Sequence, residues 1–218
     1  MIKIKESISS IQRVGSDRLK LLGVITAGHS VIHFYQQLFP VILPTVTQAL
    51  GLSNVQVGVL TSARQMSHST LNLPVGAAAD KFPQWRSHIM GISLVTMGVA
   101  YLALGTAEFY IVAIISSLLI GLASALWHPT AIGTLSNTFP ERRATALSLH
   151  GMGATVLDTV TPLAFGGLLA AFHWRGLLEI QIILGLLAGL LLWRLLRNSF
   201  TAEPPKAGDK GYLKALGT

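Results

Sequence analysis

Residues 109–135 have the sequence FYIVAIISSLLIGLASALWHPTAIGTL. This stretch of 27 residues contains no Asp, Glu, Lys or Arg. A bilayer core about 30 Å thick is crossed by about 20 mostly apolar residues in a helix that rises 1.5 Å per residue. The stretch therefore predicts a membrane-spanning helix. Five further apolar stretches are bounded by charged or turn residues, at 21–47, 55–79, 87–105, 144–171 and 176–196. Together they predict an all-α, polytopic membrane protein with six transmembrane helices.

The composition of the whole chain favours the same class. Of its 218 residues, 51% are hydrophobic and 11% are charged, whereas a soluble domain carries about 25% charged residues. The chain has no cysteine, which excludes disulfides, thiolate metal sites and cysteine nucleophiles. It also lacks a nucleophile elbow, a phosphate-binding loop and an H-E-x-x-H motif. We predict that the protein is not an enzyme and carries no cofactor.

The distribution of Lys and Arg predicts the orientation in the membrane. With both termini cytosolic, fourteen of the sixteen basic residues lie on the cytosolic side, Arg175 lies outside, and Arg64 lies within an apolar stretch. This assigns 1–20 to a cytosolic tail, 21–197 to a six-helix bundle and 198–218 to a cytosolic linker or tail. The net charge of +7 then reflects topology and contact with the lipid bilayer, and we expect no nucleic-acid partner.

Two pairs of prolines indicate an internal repeat. Pro40 and Pro129 lie in the first and fourth helices, and Pro74 and Pro162 lie near the ends of the second and fifth. Three helices followed by three of opposite orientation form the 3+3 inverted repeat of many secondary transporters. Two matched prolines can also arise by chance, so the sequence alone leaves the repeat open.

Four short motifs carry a resemblance to a known family. They are GAAADK at 76–81, FPERRA at 139–144, ALWHPTA at 125–131, and a Gly- and Pro-containing stretch of the fifth helix with Gly153, Pro162, Gly166 and Gly167. The chain resembles half of a major facilitator superfamily transporter. The fifth-helix stretch is similar to the signature of its proton-coupled antiporters, and ALWHPTA is most similar to the fosmidomycin-resistance type of efflux carrier.

The resemblance implies a function and a gating motif. The function is proton-coupled export of a small organic compound by alternating access, in a bacterial inner membrane. The gating motif comprises Gly76, Asp80, Lys81 and Arg86, in which Gly76 allows close helix approach and Asp80 pairs with a loop cation. The missing second half belongs either to the same polypeptide, as the linker-like residues 211–218 favour, or to another chain.

Two ionisable residues are expected deep in the apolar span. Counted at 1.5 Å per residue, Arg64 lies about 13 Å and Asp158 about 18 Å from the outer end of its helix. We predict an intramembrane ion pair, whose Asp158 takes a proton or releases Arg64 when the cavity changes its access. The alternative is a permanent structural pair that joins the second and fifth helices.

Histidines are the other candidates for the substrate or proton pathway. His29 and His33 are four residues apart and share one helical face. The family places the first and fourth helices around the cavity, which implies that His29, His33 and His128 lie beside the substrate, with His150 nearby and Trp127 in contact with it. Imidazole, with a pKa of about 6.5, suits proton exchange at neutral pH.

Other interpretations remain open at this point. Each of these histidines can instead be a packing residue. Paired histidines also allow a membrane haem protein, and a chain with half a cavity can be a non-transporting fragment or an assembly partner.

Overall fold

The structure is a computed structural model that describes residues 15–200. Its helices are α1 (Ser16–Ala49), α2 (Asn54–Lys81), α3 (Arg86–Gly105), α4 (Tyr110–Thr138), α5 (Arg143–Ala171), α6 (Trp174–Glu179) and α7 (Gln181–Leu196). Short 3-10 turns at Pro83–Trp85 and Pro140–Arg142 precede α3 and α5. Residues 15–200 contain no strand, so the all-α class is confirmed. Most of the predicted N-terminal tail and of the C-terminal linker, including 211–218, lies outside the described residues.

Four segments of residues 15–200 are long and apolar enough to cross a membrane by length and composition. They are Pro83–Gly105, Tyr110–Thr138, Pro140–Ala171 and Trp174–Leu196. The last contains both α6 and α7, which are separated only by a turn at Ile180. α1 and α2 have 34 and 28 residues and are long enough. Their polar side chains, among them His33 and Arg64, reduce their hydropathy. Within residues 15–200, length and composition therefore support four of the six predicted spans.

The turn between α1 and α2 is specified locally. Gly51 adopts a φ of 62°, a left-handed conformation that costs glycine little. Ser53 then caps α2: its Oγ accepts a hydrogen bond from the Gln56 backbone N at 3.3 Å, and its own N donates to Gln56 Oε1 at 2.9 Å. This capping box satisfies two donors that the start of a helix leaves free. α2 therefore reverses direction directly after α1.

The main helix contacts join both distant and consecutive helices. α1 packs on α5, α2 on α4, and α3 on α4, α6 and α7. Glycines allow the close approach: a Cβ on Gly185 of α7 would lie 2.8 Å from the Gly98 Cα of α3, and one on Gly153 of α5 would lie 2.8 Å from Ser30 Oγ of α1. Small residues at contacts let helix backbones come together in a membrane.

Two tyrosines connect α1, α3 and α7 inside the bundle. Tyr35 and Tyr101 are fully buried, and their rings stack with centroids 5.3 Å apart. Tyr35 donates a hydrogen bond to the Gln181 carbonyl at 2.6 Å, and Tyr101 donates one to the Tyr35 carbonyl. Buried hydroxyls are thus paired, and α1 is held from this side while its opposite face turns to α5.

Candidate functional site: a polar cluster between α1, α4 and α5

A group of polar side chains lies where α1 meets α4 and α5. His29, His33 and Gln37 repeat every four residues, so they share one face of α1, and α1 packs on α5. We call the group the polar cluster; its members are His29, His33 and Gln37 of α1, His128 of α4, and His150 and Asp158 of α5. All lie within helices, where backbone N–H and C=O groups bond mainly to each other.

Asp158 is held by two side chains of α1. Its Oδ1 lies 2.9 Å from His33 Nδ1 and accepts a hydrogen bond from Gln37 Nε2, also at 2.9 Å. The His33 and Asp158 side chains are 18% and 35% exposed. The carboxylate therefore has two polar partners, which lower the cost of placing it among apolar helices.

The predicted ion pair between Arg64 and Asp158 is wrong. Among residues 15–200, Arg64 makes no salt bridge; its guanidinium lies over the Phe39 ring, with Cζ 4.8 Å from the centroid. The prediction compared depths along the helices and ignored lateral position. Because α2 packs on α4 while α5 packs on α1, a similar depth does not bring the two side chains together.

The histidines of the cluster pack against one another. His29 donates from Nδ1 to the His150 carbonyl at 3.0 Å, and the two rings stack with centroids 3.8 Å apart. His128 donates from Nδ1 to the Ser124 carbonyl at 2.8 Å. Its ring centroid lies 5.6 Å from that of His29 and 5.9 Å from that of His33. The structure thus brings together all four histidines singled out in the sequence.

Trp127 does not join the polar cluster. Its side chain is completely buried, and its ring packs so closely on Gly28 that a Cβ there would lie 3.1 Å from Trp127 Cζ2. That Trp127 contacts substrate stays a prediction; in the structure, the residue next to His128 in sequence packs on Gly28 of α1. Trp127 supports the packing of α4 against α1.

The gating motif lies at the C-terminal end of α2 and the start of α3, away from the cluster. Arg86 is buried and donates from Nη2 to Asp80 Oδ1 and from Nε to the Ala79 carbonyl, both at 3.0 Å. Lys81 lies over the Phe82 ring at 5.4 Å. A Cβ on Gly76 would lie 3.2 Å from Pro129 Cβ, so α2 and α4 are close here.

A second ion pair lies at this end of the bundle. Arg18 of α1 donates from Nη1 to Glu141 Oε1 at 2.8 Å, and both side chains are about half exposed. Exposed pairs contribute little, because water and salt screen their attraction and two long side chains lose rotational freedom. The pair therefore marks where α1 approaches the loop between α4 and α5 and adds little stability.

The antiporter-like motif is divided between two environments. Gly153 is in close contact with Thr26 and Ser30 of α1, and Ser30 Oγ donates to the Gly153 carbonyl at 3.0 Å. Pro162 lies inside α5. At Gly166 and Gly167, a Cβ would have no atom of the described chain within 4 Å outside its own helix. Only the first part of the motif thus contributes to packing within residues 15–200.

Sequence reasoning missed Gln37 as a partner of Asp158. The signal was present, because Gln37 is four residues after His33 on the same face of α1, but a glutamine alone predicts no partner. The cluster also gives no support to the haem interpretation, since His29 and His150 stack too closely for a porphyrin to lie between them. What the arrangement offers is a carboxylate and several imidazoles that can bind a proton, a cation or a polar ligand inside an apolar bundle.

Long apolar helices that enclose a polar cluster define an integral membrane protein. A family model described as the Major Facilitator Superfamily matches residues 25–216. The chain belongs to this superfamily, whose members are membrane transporters.

Individual relatives agree with this assignment. The fosmidomycin resistance protein of Escherichia coli is 25% identical over 192 residues, which are 86% of this chain and 47% of that protein. A probable sulfoacetate transporter of Cupriavidus necator is 26% identical over 189 residues, 86% of this chain and 42% of that protein. An uncharacterized MFS-type transporter of Mycobacterium tuberculosis is 28% identical over 150 residues, 68% of this chain and 25% of that protein. The resemblance to the fosmidomycin-resistance type is therefore confirmed, and the chain spans a quarter to a half of these relatives.

A solved structure shows the same fold. The inward-facing, unoccupied form of a bacterial homolog to the human lysosomal transporter Spinster superposes with a TM-score of 0.70 at 20% identity. The match covers 88% of this chain and 45% of that one. The helix arrangement of this chain is thus that of part of a larger transporter fold.

Proposed function

We propose that this chain forms one half of a secondary carrier that exports a small organic compound in exchange for protons. The observation that carries the proposal is the polar cluster: a carboxylate held by His33 and Gln37, with further histidines beside it, between largely apolar helices. Ionisable side chains in such positions are expensive and commonly mark a transport pathway. Substrate and protons reach the site from the two sides of the membrane in turn.

The packing of the helices supports a 3+3 inverted repeat. A 3+3 repeat matches α1 with α4, α2 with α5, and α3 with the α6–α7 pair. Under this matching, the contact of α1 with α5 corresponds to the contact of α4 with α2. Both contacts are present, and α3 packs on the α6–α7 pair that it matches. This matching adds an argument to the matched prolines, and the site lies at the junction of the two triplets, as in many carriers.

Exposed apolar side chains support a second half. Several described helices expose such side chains, and on α2 and α5 they follow one face of the helix: Val55, Val59, Met66 and Leu73 of α2, and Met152, Val156, Val160 and Leu163 of α5. Gly166 and Gly167 follow the last of these residues on α5. A second six-helix half, in the same polypeptide or another, would cover these helices and enclose the polar cluster around Asp158.

The geometry of the polar cluster supports a set of pathway residues. We propose that Asp158, His33, His29 and His128 line the substrate or proton pathway, with His150 stacked behind His29. Arg64 remains a pathway candidate on α2, independent of Asp158. We assign opening and closing on the cytosolic side to Asp80 and Arg86, with Gly76 and Lys81 beside them. With both termini cytosolic, in a bacterial inner membrane, the ion pair of Asp80 and Arg86 lies on the inner side.

Transport in membrane vesicles tests the proposal. The name of the Escherichia coli relative makes fosmidomycin the first probe. Inverted vesicles that contain the bundle joined to a second half should accumulate fosmidomycin when acidified inside, because proton exit drives uptake. Asp158→Asn removes the charge that His33 and Gln37 hold, and should abolish the uptake.

A matched control separates the site from general effects of charge. Asp17 is exposed in the first turn of α1, so Asp17→Asn makes the same chemical change far from the cluster and should leave uptake intact. Uptake by Asp158→Asn equal to that of the wild type would remove Asp158 from the mechanism. Loss of uptake in both variants would count against a specific role of Asp158. Uptake that does not depend on the pH gradient would contradict proton coupling.

A further inference from the structure

We propose that His29, His33 and His128 form a binding site for a divalent first-row transition metal ion of the Zn²⁺ type. One imidazole nitrogen from each of the three lies within 4.8 Å of those of the other two. In a tetrahedral zinc site with Zn–N distances of 2.0–2.1 Å, ligand nitrogens lie about 3.3 Å apart. Binding requires the three nitrogens to approach that separation from the distances of at most 4.8 Å found here.

The hydrogen bonds of the three rings fix which nitrogen is available. Nδ1 of His29 faces the His150 carbonyl at 3.0 Å, and Nδ1 of His128 faces the Ser124 carbonyl at 2.8 Å. A carbonyl oxygen only accepts, so each Nδ1 carries the proton, and each Nε2 is left with a lone pair. A histidine in this tautomer is ready to bind a metal through Nε2.

His33 completes the set with a carboxylate behind it. Its Nδ1 lies 2.9 Å from Asp158 Oδ1, and Asp158 is fixed in turn by Gln37. Carboxylate, histidine and metal in a row is a common arrangement, in which the carboxylate orients the ring and makes Nε2 a better ligand. All three histidines thus have the outer hydrogen bond that metal-binding histidines almost always make.

The three lone pairs can be shared by one ion. His29 is 6% exposed and its ring lies 4.5 Å from that of His33, so these two ligands are already close together in the bundle. A divalent ion can bind all three at once. Imidazole ligands without thiolates suit Zn²⁺, Co²⁺, Ni²⁺ and Cu²⁺, and three protein ligands leave a fourth position for water or an anionic ligand.

This inference goes beyond the proposed function, because a metal ion is a ligand of a different class at the same place. It also connects α1 with α4, which belong to different triplets. An ion bound to His29, His33 and His128 would hold these helices together.

The test is metal binding by the purified chain, and it requires no transport. The protein is prepared in detergent without a polyhistidine tag and titrated with Co²⁺, whose visible absorption becomes intense when the ion is four-coordinate; Zn²⁺ is then added against a chromophoric chelator. We expect one Co²⁺ per chain with the intense spectrum, displaced by one Zn²⁺. No saturable binding by folded protein would overturn the proposal.

Variants assign the ion to the cluster. His33→Gln and His128→Gln each remove a ligand and should abolish the four-coordinate spectrum. His88→Gln is the matched control, because His88 lies near Trp85 and Trp193 at the start of α3, outside the cluster. Binding that is unchanged in both ligand variants, or lost equally in His88→Gln, would overturn the assignment.

Asp158→Asn keeps the test decisive if a ligand variant fails to fold. It retains all three ligands and removes only the carboxylate behind His33, so Zn²⁺ affinity should fall by about 10–100-fold while the Co²⁺ spectrum keeps its shape. Unchanged affinity in folded Asp158→Asn would contradict the carboxylate's role. Proton-driven fosmidomycin uptake is measured separately, so a failed metal titration leaves the proposed transport untouched, and the reverse also holds.

Discussion

At the scale of single residues, the partners of Asp158 decide how this chain holds a carboxylate between its helices. His33 and Gln37 hold the carboxylate from α1, while Arg64 rests on Phe39. Depth along a helix is readable from the sequence because each residue adds a fixed rise. The lateral position of a helix depends on tertiary packing, which no short motif encodes. For this reason the residues of the site were predictable, and their pairing was not.

A double-mutant cycle checks this pairing. His33→Gln and Asp158→Asn should couple by about 0.5–3 kcal/mol in the free energy of unfolding, because their side chains are in contact. Arg64→Gln and Asp158→Asn should be additive within about 0.5 kcal/mol. Unfolding of the chain in mixed micelles with increasing SDS measures all the terms. Rescue of Arg64→Gln by Asp158→Asn is what an Arg64–Asp158 ion pair requires, and it would contradict the structure.

At the scale of helices, hydropathy predicts where the helices are better than it predicts which helices pack together. All six predicted stretches are helical in the structure, although α1 begins at Ser16 and the last stretch is divided into α6 and α7. The pairing of α1 with α5 and of α2 with α4 depends on small residues such as Gly153 and Gly121. Small residues are frequent throughout such sequences, so they do not identify which helices meet. The alternation of polar and apolar side chains along a helix is also weak, because the face toward lipid and the face toward the core are both apolar.

Gly185→Ala tests the contact of α3 with α7. A Cβ on Gly185 would lie 2.8 Å from both the Gly98 Cα and the Leu94 carbonyl oxygen. Both are backbone atoms that cannot rotate away, so the variant should be destabilised by about 1–3 kcal/mol. Unfolding in mixed micelles is again the measurement.

The matched control is Gly58→Ala in α2, where a Cβ meets nothing within 4 Å in the described structure. Replacing a glycine inside a helix by alanine should stabilise the protein by about 0.5–1 kcal/mol. Equal stability of the two variants would mean that α3 and α7 are not packed through Gly185.

At the scale of the whole molecule, the fold is that of part of a larger carrier, and orientation is its first testable property. The bias of Lys and Arg predicts cytosolic termini. The chain has no cysteine, so single cysteines at Asn54, Gln84 and Asn198 can report sidedness; Asn54 is chosen because Ser53 caps α2. A membrane-impermeant thiol reagent should label only position 54 in intact cells. Labelling at position 84 or 198 would contradict the predicted topology.

The second testable property of the whole molecule is the dependence on another half that the half-carrier proposal predicts. Alternating access moves one half against the other around a site between them, and this bundle supplies one wall. The chain alone, reconstituted and shown by crosslinking to be monomeric, should give no proton-linked fosmidomycin flux. The same chain joined to a second six-helix half is the positive control. Flux from a proven monomer would refute the half-carrier proposal.

The hydrogen bonds of Asp158 also have a consequence for how the chain is made. Its partners His33 and Gln37 precede it by 125 and 121 residues, which a ribosome takes about 6–25 s to translate at 5–20 residues per second. During that interval α1 must enter the bilayer with polar side chains whose partner does not yet exist. We expect α1 to wait beside the insertion machinery until α5 emerges, so that nascent chains released after residue 138 are degraded faster than those released after residue 171.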